Sequence, residues 1–160
     1  MNSIATPFSK FSCHVREEWI DYNGHMNVGF YLVAFDQAVK PFFNWLGFTD
    51  EFRKANNSST FALEAHLSFV RELSAGEEIR FETRLLDHDH KRIHFYQEMY
   101  HVDQGYLAAT HESLGTYMDM SIRKTSTMPG EITDRLGEVL AAHKTLAAPW
   151  QVGHKIGIKR

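Results

Sequence analysis

The chain has 160 residues, of which 43% are hydrophobic and 23% charged, the balance of an ordinary globular protein; disordered and fibrous classes are excluded. The formal net charge of −3 leaves no basic field to draw the whole protein to nucleic acid or an anionic membrane. One cysteine, Cys13, cannot close an internal disulfide, no stretch nears the ~20 apolar residues of a membrane span, and the opening residues hold no apolar run of signal-peptide length. The expectation is one domain over residues 1–160, cytoplasmic, with neither nucleic acid nor membrane as partner.

In chain order, Phe11 to Trp19 alternates, with Phe11, Cys13, Val15 and Trp19 on one face, and reads as a strand. A turn-rich stretch, Asp21 to Asn27, follows. Val28 to Leu46 is almost wholly apolar; its polar members are Asp36, Gln37, Lys40 and Asn44, of which Asp36, Lys40 and Asn44 fall four apart in one narrow stripe of a helix. Such a helix must be surrounded by protein. Pro41 should bend it or cut it short, and Gly47 is a fitting stop.

Four strands are then expected. Thr60 to Arg71 sets Phe61, Leu63, Ala65, Leu67 and Phe69 against Glu64, His66 and Ser68. Glu78 to Asp87 and Lys91 to Val102 alternate in the same way, and the last runs from Tyr106 to about Met120, with Gly115 a candidate bulge. A second helix over about 130–147 carries one apolar face, Ile132, Leu136, Val139, Leu140 and His143, and packs from outside. The tail from Trp150 has no periodicity and should be loosely held.

This order describes an α+β fold in which a long central helix is wrapped by a five-stranded antiparallel sheet, the hotdog architecture, with a core over about 8–122 and an extra C-terminal helix. A single sheet cannot cover such a helix, so a homodimer or homotetramer is expected. A cone-shaped steroid-isomerase-like barrel is the rival, but it usually presents more than one helix before its long sheet. Ten histidines invite a metal reading, yet they are scattered, and the one tight pair, His88 and His90, lies in a polar turn. Without a second ligand couple, no metal is expected.

The segment Trp19-Ile-Asp21-Tyr-Asn-Gly24-His25-Met-Asn27-Val28-Gly-Phe-Tyr31 resembles the signature of the 4-hydroxybenzoyl-CoA-type hotdog thioesterases, and the likeness extends through the strand pattern to about Met120. It implies hydrolysis of an acyl-CoA thioester without a cofactor. Asp21 would then be the catalytic carboxylate, either as nucleophile or as general base for water. Thioester cleavage also needs donors for the developing oxyanion. Asn27 is a good helix cap, so the amide of Val28 and its neighbours would be available. The alternative for this pair is a local turn bond and a plain cap.

His25 could orient Asp21 or contact substrate, or pack in the loop. Tyr31 suits substrate contact or core. Gly24 suits a tight loop or close ligand approach. Glu64 and His66 share the polar face of the strand that, in dimeric hotdogs, meets its twin; they could reach the substrate across the interface or tie the dimer together. Arg71, Arg123 and Lys124 could serve coenzyme A phosphates or be ordinary surface charge.

A narrower likeness runs through Glu18-Trp-Ile-Asp-Tyr-Asn-Gly-His-Met26 and Glu64-Ala-His66, to the thioesterases of carnitine catabolism that act on betainyl-CoA. Their substrate carries a trimethylammonium group, which aromatic faces and a carboxylate attract; Glu64 could supply the charge. Two other functions share the architecture. Enoyl-thioester hydratases or dehydratases use a different His-containing loop followed by proline, and a non-catalytic acyl-binding module would dispense with Asp21.

Overall fold

A computed structural model describes residues 3–158 and 160. Its organising element is helix α1, Val28–Leu46, whose limits are set by chemistry at both ends. Asn27 caps the start, its side-chain oxygen accepting from the Gly29 N–H at 3.0 Å. Gly47 ends the helix at φ 110°, a left-handed conformation that favours glycine, and a Cβ there would fall 2.9 Å from Ile132. Pro41 does not cut the helix, which continues to Leu46. The turn beyond it buries Phe42, Phe43 and Leu46, and that burial offsets the backbone bond that proline removes.

The sheet is antiparallel in the order β1 (Phe8–His14), β3 (Glu78–His88), β4 (Arg92–His101), β5 (Leu107–Asp119), β2 (Ser58–Phe69), with β6 (Lys124–Thr125) pairing a second stretch of β5. Helix α3, Gly130–His143, packs against β3 and also against the end of α1, its Ile132, Leu136 and Val139 sharing the helix-side core rather than covering the sheet from outside, and it stops short of residue 147. The first strand begins earlier than its alternation suggests and ends at His14. Trp19 lies instead in a 3-10 turn, Glu17–Trp19, where it is buried as an anchor. A short helix α2, Asp50–Ala55, was not evident from periodicity; Thr49 caps it and Lys40 pairs with Asp50.

The bulge expected at Gly115 lies across from it. β2 gains one residue, Leu63, between the pairs Ala62↔Gly115 and Glu64↔Leu114. That extra residue inverts the strand's phase. Ala65, Leu67 and Phe69 share the helix side with Ser113, His111 and Ala109, whereas Phe61 pairs with Thr116 on the outer face and Leu63 is 57% exposed.

The tail is held more firmly than its sequence suggests. Tyr96 Oη donates to Gln151 at 3.0 Å, and the Gly153 N–H donates to Glu112 at 2.8 Å, both on the outer face of the sheet. No described helix is long and apolar enough to cross a membrane.

The core falls in two halves along α1. Tyr31, Ala34 and Phe35 pack with Trp19, Met26, Leu73 and Phe81 at one end; Phe42, Phe43 and Leu46 pack with Phe95, Tyr117 and α3 at the other. Between them runs a buried polar chain. The Gln97 amide nitrogen donates to Thr83 Oγ1 at 3.3 Å, and its oxygen accepts from His111 Nδ1 at 2.8 Å. Burial pushes the His111 imidazole down to about 4.

The unfolded chain therefore takes up a proton near pH 6.5 that the folded protein refuses until about 4. Stability should be insensitive to this group above pH 6.5 and should fall between pH 6.5 and about 4, by about 3 kcal/mol, with no further loss from it below. Urea midpoints of wild type and His111→Gln across that range check this; the variant should lose most of the slope.

Candidate active site

The loop before α1 is a small hairpin with buried anchors. Ile20 and Met26 bridge, the Asp21 N–H donates to His25 O at 3.2 Å, the Met26 N–H donates to Leu73 O at 2.8 Å, and the Asn27 N–H donates to Trp19 O at 2.9 Å. Trp19 and Met26 are both buried beneath it. Gly24 closes the turn at φ 81°, its N–H donating to Asp21 O at 3.0 Å. Nothing lies within 4 Å of where its Cβ would be, so the loop needs its backbone freedom rather than its small size.

Asp21 is half-buried and its carboxylate is fixed at both oxygens. Oδ1 accepts from the Asn23 N–H at 2.8 Å, and Oδ2 accepts from Asn27 Nδ2 at 3.1 Å. The Asn23 amide above all, then the Asn27 amide and the His25 charge, hold the carboxyl below its ordinary value of 3.8, so it is ionised at neutral pH. Asn27 thus touches both partners, since its oxygen also caps Gly29.

Among the first-turn amides, Gly29 bonds to Asn27 Oδ1 and Phe30 to the Asn27 carbonyl. No acceptor is seen among the described residues for the Val28 N–H, and Val28 is exposed. An ionised carboxylate and an unclaimed helix-end amide meet here, joined by one side chain. Such a pair can present a nucleophile or base to a carbonyl whose oxygen rests on the amide.

Beside this end opens a cleft of about 510 Å³ between α1 and the β2–β5 pair, starting at Gly29 and running past Leu32, Val33 and Asp36 to Phe43. Its sheet wall includes Phe95, His111 and Ser113. Asp21, His25 and Asn27 stand outside its lining, at the end where Gly29 opens it.

The other expected residues divide. His25 turns from Asp21, its Nδ1 3.4 Å from Met26 O and its Nε2 4.0 Å from a Glu72 carboxylate oxygen. Tyr31 is buried, edge-on to Phe69 at 5.2 Å, and burial pushes its phenol up to about 12; it is a core residue. Glu64 and His66 are not brought to Asp21. They lie on the outer face of the sheet, lining a separate cavity of about 360 Å³ with His94, Glu112 and His154.

The carboxylate in the cleft is Asp36, and the neutral His111 also lines it; neither was singled out from sequence as a site residue. The signal for Asp36 was present, a lone acid in the polar stripe of an otherwise apolar helix. His111 gave none, because its burial depends on strands far apart in the chain. Of the basic residues, Arg71 lies over Tyr106 at 4.0 Å and Arg123 over Phe61 at 5.8 Å. Among the described residues no group of three His, Cys, Asp or Glu gathers as a metal site.

Residues 15–136 match the model of the thioesterase-like superfamily. The chain is 33% identical over 144 residues to the betainyl-CoA thioesterase of Pseudomonas aeruginosa, covering 90% of this chain and 91% of that one. It is 29% identical to the L-carnitine dehydrogenase/betainyl-CoA thioesterase of Rhizobium meliloti, spanning 96% of this chain but 31% of that longer protein. A Staphylococcus aureus structure determined in complex with CoA superposes with a TM-score of 0.87 at 26% identity, covering 99% of this chain and 100% of that one. With its central helix, its curled antiparallel sheet and this match over most of its length, the chain belongs to the thioesterase-like hotdog superfamily.

Proposed function

We propose that the protein hydrolyses acyl-CoA thioesters to the free acid and CoA at the Asp21–Val28 end of the cleft, with betainyl-CoA among its substrates. The observation that carries this is the contact of Asn27 with both the Asp21 carboxylate and the capped first turn beside the Val28 amide. The thioester oxygen rests on the Val28 N–H, where the positive helix end stabilises the oxyanion as it forms. Asp21 either attacks the carbonyl carbon, expelling the CoA thiolate and leaving a mixed anhydride for water to open, or takes a proton from the attacking water. Its depressed pKa keeps it in the ionised form that both routes require. The betainyl assignment draws on the Pseudomonas and Rhizobium relatives.

The working unit is a homodimer or homotetramer of single-domain chains in the cytoplasm. Two features support the assembly. β2 has an unpaired outer edge, with Leu63, Phe69 and Val70 each more than half exposed, and α1 leaves Leu32 and Val33 42% exposed. A second copy joining edge to edge would cover both. Light scattering should give a mass at least twice 18.5 kDa, and Leu63→Lys with Phe69→Lys should lower it.

Asp21→Asn can keep the Asn23 turn bond through its one oxygen, but it removes the charge and loses the acceptor for Asn27 Nδ2. Thiol release from an acyl-CoA panel should fall by about 100-fold or more with the fold intact. Equal turnover by both proteins would discard Asp21 as the reacting group. Val28→Pro deletes one amide at a helix position where proline is well tolerated, after a residue already extended at ψ 143°. It should lower kcat by roughly 100-fold, about 3 kcal/mol of transition-state stabilisation, while helicity by circular dichroism stays unchanged.

A further inference from the structure

We propose that the cleft along α1 selects acyl groups ending in a quaternary ammonium, that Asp36 reads that charge, and that the best-fitting tail is longer than betainyl. This rests on thioester hydrolysis at the Val28 end and adds where the acyl tail goes. Asp36 faces the cleft from the same side of α1 as Gly29 and Phe43, and it is the one formally charged side chain among the described lining residues. Among the described residues it makes no ion pair or side-chain hydrogen bond. The cation one turn along the helix is drawn elsewhere, because Lys40 Nζ is 3.0 Å from Asp50. Asn44, the next in the stripe, accepts from Arg53 at 3.4 Å.

The remaining chemistry of the cleft suits a soft cation. Phe43 and Phe95 form part of its wall, their rings 5.5 Å apart and edge-to-face. His111 is the one imidazole in the lining, and burial holds it neutral, so no positive charge competes for Asp36. A trimethylammonium group has no N–H to satisfy; an apolar wall with π faces and one unpaired carboxylate is sufficient to hold it.

Position sets the length. Asp36 stands about two turns beyond Val28, roughly 12 Å of helix axis, less the lean of its side chain toward the N-terminus. In betainyl-CoA the nitrogen is two bonds from the carbonyl carbon, close to the Val28 amide and short of Asp36. In a 4-(trimethylammonio)butanoyl tail it is four bonds out, and its methyl groups approach the carboxylate. Betainyl-CoA is then the short, weaker end of the series.

The test uses betainyl-CoA and 4-(trimethylammonio)butanoyl-CoA with their neutral carbon isosteres, 3,3-dimethylbutanoyl-CoA and 5,5-dimethylhexanoyl-CoA, on wild type and Asp36→Asn. In wild type, kcat/KM for the longer cation should exceed that of its isostere by at least about tenfold and should also exceed that of betainyl-CoA. In Asp36→Asn the cation-to-isostere ratio should fall to within about twofold of unity. Equal rates for cation and isostere in wild type, or a ratio unmoved by the substitution, would overturn the charge reading while hydrolysis stands. Faster cleavage of betainyl-CoA than of the longer cation would overturn the length assignment. If no thioester is cleaved, hydrolysis itself fails. Calorimetry with non-cleavable thioether analogues of the longer pair then decides the subsite: tighter binding of the cation, lost in Asp36→Asn, supports it, and equal binding rejects it.

Discussion

One side chain links the fold to the chemistry. Asn27 donates to Asp21 through its amide nitrogen and caps α1 through its oxygen. One orientation of the Asn27 amide makes both bonds, so the rotamer that caps the helix is also the one that holds the carboxylate. Each bond alone is worth about 1 kcal/mol. Their coupling fixes the relative position of a negative group and an unclaimed amide, which is worth more to catalysis than to stability. The hairpin behind them is anchored through Trp19 and Met26, so the core of the sheet sets the geometry of the loop.

Helix α1 carries three surfaces. One packs into the sheet through Ala34, Phe35, Ala38 and Phe42; its stripe members Lys40 and Asn44 turn toward α2; a third, from Gly29 through Leu32 and Val33 to Asp36, faces the open cleft. A helix so apolar is not covered by one curled sheet, and the uncovered strip is where substrate and a second copy of the chain would be accommodated. The buried Thr83–Gln97–His111 chain reaches the cleft through His111, whose ring touches Phe35 of one half of the core and Phe95 of the other. Its hydrogen bonds let three polar side chains stay dry between aromatic clusters.

Much of this was legible in the sequence because the signals were local. The limits of α1 followed from Asn27, Gly47 and an unbroken apolar run, and the Asp21 loop from its turn residues and position. What stayed hidden was settled by contacts between distant residues. α2 has six residues and no periodicity of its own, and it leans on a cap and an ion pair with α1. The tail is fixed by Tyr96 and Glu112, far back in the chain. Glu64 and His66 do share a face, as their alternation implied, but that face is turned away from α1, and only strand pairing reveals it. Asp36 was visible as part of a stripe, yet its isolation became apparent only once Lys40 was seen to pair with Asp50.

The extra residue at Leu63 has a bearing on how this chain tolerates change in length. Upstream of it the edge strand keeps one parity and downstream the other, so the strand is two short rulers joined out of step. Replacing Leu63 alters one side chain, but deleting its codon would bring the rulers into step. Ala62, Glu64 and Ala65 would then alternate without a break against Gly115, Leu114 and Ser113, so Ala65, Leu67 and Phe69 would stay on the helix side and Glu64 and His66 on the outer face. A one-residue gap at that position would therefore remove the bulge and leave the pocket wall in place.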